Sequence, residues 1–123
     1  MSYQVYKVIH IVGIIFLFLS LGGMLLHMMN GGTKASNGSR KFTAITHGLA
    51  AFAILLGGFG LMARLGMPHM GPHPTWIYVK VAVWLTLGFL PILIWRKGSL
   101  SRFFWFLVPA LGGLAAYFAI LKP

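Results

Sequence analysis

The sequence contains no aspartate, no glutamate and no cysteine. The first two absences remove carboxylate general acids and bases, Ser-His-Asp arrangements and the oxygen ligands that Mg²⁺ and Ca²⁺ require. They also remove the intramembrane carboxylates through which proton pumps commonly relay. Without cysteine there are no disulfides, no thiolate nucleophiles and no thiolate metal sites. Charge of either sign is scarce: 8% of residues are charged and 59% are hydrophobic. A soluble domain carries about 25% charged residues. A chain of 123 residues leaves no space for a soluble domain beside its apolar runs, so residues 1–123 are expected to form a single transmembrane domain.

What is left for chemistry is five histidines, ten cations, and tyrosine and tryptophan side chains. Imidazole without carboxylate or thiolate suits haem iron or copper better than most other cofactors. The net charge of +10 belongs to residues that flank apolar segments, where they meet anionic lipid headgroups and fix orientation. Membrane lipids are therefore the expected partners. Nucleic acid is not, because no soluble basic surface exists to carry it.

Four segments approach the ~20 apolar residues that a bilayer crossing takes: about 5–29, 42–65, 75–95 and 103–121. The first is too long for a cleaved signal peptide and ends in no small-residue cleavage site. Between the spans, "NGGTKASNGSRK" is a glycine- and serine-rich surface loop. "GMPHMGPHPT" carries three prolines that stop one helix before the next begins. "RKGSLSR" is a short turn. Short links favour neighbours that run in opposite directions, so the expected fold is all-α, an integral membrane antiparallel four-helix bundle. No internal repeat is evident.

The first and third loops hold Lys34, Arg40, Lys41, Arg96, Lys97 and Arg102, against Lys7, Arg64, Lys80 and Lys122 at the opposite face. This excess places both loops in the cytoplasm and both termini outside. Gly22 and Gly23, Gly57, Gly58 and Gly60, and Gly112 and Gly113 fall within spans, where small residues let backbones approach closely. They could also leave a slot for a flat cofactor.

At ~1.5 Å of rise per residue, sequence position converts to depth. His10 and Lys80 each lie about five residues into spans that run the same way, so they share a level near the outer face. His27 closes span one and His47 opens span two, which puts this pair side by side near the other face. Two spans, one level and two nitrogens can support axial ligation of a haem. His10 with Lys80 is the leading pair, and His27 with His47 the weaker one. His69 and His73, in "HMGPH", could contribute to a copper or zinc site, although two imidazoles make an incomplete one. Ser20 and Thr46 can bond their own helix backbones and need no further role.

Lys80 sits in "WIYVKVAVWL", on one helix stripe with Trp76 and Trp84. A buried ammonium in hydrocarbon costs a few kcal/mol. It either snorkels to the interface between the two indoles or serves as an iron ligand or an anion contact. Lys7, one turn before His10 and closer to water, is positioned to pair with haem propionates.

These residues also carry a resemblance. "YKVIHIVGIIFLFLSLGGMLLHM" resembles the first helix of the bacterial membrane protoporphyrinogen IX oxidases of the J type, with Lys-x-x-His near its start and a second histidine near its end. "WIYVKVAVWLTLGFLPILIWRK" looks like their segment with an aromatic residue and a lysine four positions on, and "VPALGGLAAYFAILKP" is similar to their last helix. The resemblance implies haem b held by His10 and Lys80, a bacterial inner-membrane location, and oxidation of a porphyrinogen or electron transfer to quinone. The family usually carries Asn-Glu ahead of the last-helix proline, where this chain has Phe106 and Leu107. Copper-resistance D-type and SirB-type four-helix membrane families are also similar, and "THGLAAFAILLGGFGL" resembles the second SirB-type helix. The alternative expectation is a non-catalytic subunit of a larger membrane complex, or a homo-oligomer.

Overall fold

A computed structural model describes residues 2–67 and 72–122. Four long helices account for most of it: α1 (Tyr3–Met29), α2 (Arg40–Arg64), α3 (Thr75–Arg96) and α4 (Ser101–Leu121). A single 3₁₀ turn, Gly98–Leu100, leads into α4. There is no strand among the described residues. All four helices are long and apolar enough to cross a membrane. Their ends fall within about two residues of the boundaries expected from composition, the usual scatter at frayed termini.

Local chemistry explains the ends. Ser2 caps α1, its hydroxyl accepting from the Val5 N–H at 3.3 Å. At the far end Asn30 closes the helix, and Gly31 takes a left-handed φ of +82° that turns the chain into the connector. Pro74 precedes α3 in an extended conformation, as a residue that cannot donate to a helix should.

α1 is the central element. It packs most extensively on α2 and also touches α3 and α4, whereas α2 and α4 do not meet among the described residues. Its buried positions, Gly13, Leu17, Ser20, Leu21, Met24 and Leu25, recur at three- and four-residue spacing and form one stripe. Against that stripe lie Leu87, Leu90 and Ile94 of α3 and Phe104 and Val108 of α4. The buried core occupies one half of the molecule. No residue of α1 before Gly13, and none of α4 after Val108, is fully buried. His10 and Lys80 belong to the more open half.

Outward, the helices are apolar. Phe42 and Phe106 are each 74% exposed and Ile120 is 78% exposed. Exposed apolar surface on this scale marks a partner or a lipid environment.

The glycines divide. A Cβ on Gly57 would lie 2.7 Å from the Cβ and backbone nitrogen of His10, and one on Gly60 would collide with the Tyr6 ring. One on Gly112 would lie 2.6 Å from the Phe18 ring. Gly13, not singled out by the sequence pattern, faces the backbone of Ala50 and Ile54 at 3.0 Å. Gly22 and Gly113 have nothing within 4 Å. Where glycines do mediate contact, the space they leave is taken up by the neighbouring helix.

Candidate functional site

His10 is partly buried on α1, facing α2. Its Nδ1–H donates to the Ile54 carbonyl at 2.7 Å. That carbonyl has two lone pairs and can accept a second bond beside its helical one. With the proton held on Nδ1, the neutral ring keeps its lone pair on Nε2, the tautomer in which an imidazole can serve as a metal ligand. Gly58 lies alongside, its missing Cβ 3.6 Å from the His10 ring.

Lys80 is half-buried on α3 and close enough to His10 for their charges to interact. The structure thus brings together the two residues that depth had paired. The Lys80 Nζ lies 6.0 Å from the centre of the Trp76 ring. Trp84, expected to flank Lys80 on its other side, is engaged differently: its Nε1–H donates to the Ala51 carbonyl at 3.0 Å. Lys122 enters the same neighbourhood, with its Nζ 4.9 Å from the Trp76 ring centre. The sequence pattern had placed Lys122 among the cations of the outer face, without linking it to Trp76. Lys7 is exposed, its Nζ 6.0 Å from the ring centre of Tyr3.

The second histidine pair is divided between two different tasks. His47 is 7% exposed, and its Nε2–H donates to the Leu87 carbonyl at 3.0 Å. Leu87 stands four residues before Pro91, which lies inside α3. A proline has no N–H to give the carbonyl four residues back, and in an apolar surrounding such a group must find another donor. His47 supplies it. His27 instead turns into the first connector, its Nε2–H donating to the Thr33 carbonyl at 2.8 Å with Ser36 Oγ at 3.2 Å. Gly32 makes room for that ring, since a Cβ there would run into it.

Ser20 and Thr46 do bond their own helices, to Leu17 O and Phe42 O at 2.8 Å each. His69 lies outside the described residues; His73 donates its backbone N–H to the Tyr78 hydroxyl at 3.0 Å. No cluster of three or more potential metal-ligating residues occurs among the described residues.

These features bear on haem in two ways. The donor chemistry of His10 fits an iron ligand, and no residue of α1 at its level is fully buried. The glycine face of α2, however, gives no slot for a flat ring against α1, because His10 and Tyr6 already fill it.

No family model, curated protein or solved structure matches this chain. The functional reading therefore rests on the residues and their geometry.

Proposed function

We propose that the chain is an integral membrane antiparallel four-helix bundle that binds haem b through His10 and Lys80 and acts as a membrane redox protein. The antiparallel arrangement is supported by the contacts of α1 with α2: Gly23 lies beside Thr43, Gly13 beside Ala50, Gly57 beside His10 and Gly60 beside Tyr6. The bacterial inner membrane is the proposed location, with both termini outside the cytoplasm.

The observation that carries the haem reading is the His10 Nδ1–H bond to Ile54 O. It fixes the ring and leaves Nε2 as a donor atom, on a residue within electrostatic reach of Lys80. Lys80 would complete the pair as a neutral amine. Bound haem would supply one-electron transfer, with quinone or a porphyrinogen as the exchange partner. In this chain no side-chain carboxylate is present to move the accompanying protons. Electron transfer therefore suits it better than a proton-coupled oxidation.

A visible spectrum of the protein purified from haem-supplemented cells tests the proposal. A Soret band is expected in the wild type. His10→Ala should lose it, Lys80→Met should shift it, and Lys7→Ala should only weaken haem retention. If the wild type takes up no haem, or all three variants keep its haem content and spectrum, the proposal is wrong.

A second reading has its own support. The apolar outer face of α4, with Phe106 and Ile120 almost fully exposed, suits a non-catalytic subunit of a larger membrane complex. A protein that lacks haem and co-purifies with a membrane partner would favour it.

A further inference from the structure

Two ammonium groups converge on one indole. Lys80 Nζ and Lys122 Nζ lie 6.0 and 4.9 Å from the centre of the Trp76 ring, and they are close enough to repel each other. His10 adds a protonatable nitrogen within electrostatic reach of Lys80. Like charges so placed are unfavourable unless an anion lies with them, and the chain has no side-chain carboxylate to provide one.

The backbone adds a second observation. Lys122 is the single non-glycine residue with positive φ among the described residues, at φ 51° and ψ 47°. L-residues adopt this left-handed conformation at a cost, and glycine or asparagine is the usual occupant. Here it is spent on a lysine whose side chain ends over Trp76. Part of the arrangement is offset by the α4 carbonyl end, which favours a cation. That effect accounts for a lysine that closes the helix, but not for its approach to a second one.

We propose that, in the haem-free protein, Lys80 and Lys122 together hold one phosphate group beside Trp76, supplied by the headgroup of an acidic phospholipid. Trp76 stands at the start of α3 and Lys122 at the end of α4. In a spanning bundle both are at headgroup depth, where tryptophan concentrates and lysine reaches for phosphate. A phosphodiester offers two unesterified oxygens, one for each ammonium. The inference does not rest on the haem reading, which uses Lys80 as a neutral amine. Here Lys80 keeps its proton.

The test is lipid retention by the haem-free protein, released from nanodiscs and observed by native mass spectrometry. In phosphate-free buffer, discs of phosphatidylcholine with a minor share of phosphatidylglycerol should yield protein carrying one phosphatidylglycerol. Lys80→Gln and Lys122→Gln should each weaken that retention about tenfold, the loss of roughly one strong contact. Lys122→Arg should restore it, and Lys97→Gln, in the connector ahead of α4, should leave it unchanged. Helicity by circular dichroism shows that each variant is folded. A second arm uses pure phosphatidylcholine discs with inorganic phosphate added. A rise in melting temperature there, lost in the same two variants, would keep the site and assign its anion to solution instead of lipid. Equal retention of the two lipids with no phosphate effect would overturn the proposal, as would retention that Lys80→Gln and Lys122→Gln leave intact. Haem uptake by the same preparations reports separately on His10. A protein that never takes up haem but retains phosphatidylglycerol through these lysines sinks the haem reading and upholds this one.

Discussion

Each imidazole inside an apolar helix brings an N–H that hydrocarbon cannot receive, and the described structure shows where two of these go. His10 gives its proton to Ile54 O and His47 gives its proton to Leu87 O. That His10 and Lys80 lie within electrostatic reach of each other was legible from depth alone, since both stand a few residues into their helices. The part of Lys122 was not legible. Its approach to Trp76 depends on a left-handed backbone turn that no apolar pattern encodes. Nor could spacing separate glycines that mediate contact from those that do not, since Gly57 and Gly58 are adjacent and alike in sequence. Their surroundings differ sharply: a Cβ meets His10 at 2.7 Å from Gly57 but only at 3.6 Å from Gly58. Gly57→Ala should therefore destabilise the protein by about 1–3 kcal/mol through overpacking against backbone that cannot yield. Gly58→Ala should be neutral or slightly stabilising, as a helical glycine replaced by alanine usually is. Melting temperatures of the two variants in the same detergent decide it, and equal losses would contradict the packing described.

At the scale of elements, helix existence and extent were clear from apolar run length, because a bilayer-spanning helix leaves a signal of about 20 residues. Prolines within the runs gave a less direct message. Pro91 neither ends nor begins α3, which continues from Thr75 to Arg96. The helix tolerates it because the carbonyl it leaves unpaired is served from α2 by His47. In retrospect the signal was present in the sequence: a histidine in the first half of one span, and a proline late in the next. Spacing alone could not tell this use of His47 from a ligand pair with His27. The arrangement predicts coupling. His47→Ala should cost about 1–3 kcal/mol in the wild-type background, because it leaves the Leu87 carbonyl unsatisfied. In a Pro91→Ala background residue 91 regains an N–H for Leu87 O, so the same substitution should cost markedly less. Unfolding of the four proteins of this double-mutant cycle in denaturing detergent measures the difference. Additive losses would mean that the two residues act independently.

For the molecule as a whole, four apolar helices with aromatic side chains directed outward are consistent with a multi-pass membrane protein. The Met28 side chain, near the end of α1, reaches Gly98 in the connector ahead of α4. The first and third connectors, which hold the larger share of the cations, therefore lie at one end of the molecule. The charge bias then predicts that this end is cytoplasmic. Reporter fusions in the first connector should give a cytoplasmic signal and fusions after Lys122 an external one; the reverse pattern would overturn the orientation. Beyond topology, three side-chain bonds between α2 and its neighbours share a property. His10, His47 and Trp84 all donate to main-chain carbonyls, those of Ile54, Leu87 and Ala51. An acceptor of that kind survives any substitution of the residue that bears it. Sequence drift at these seams is consequently lopsided: the acceptor positions are free to exchange one apolar side chain for another of similar size, while the donor positions are not.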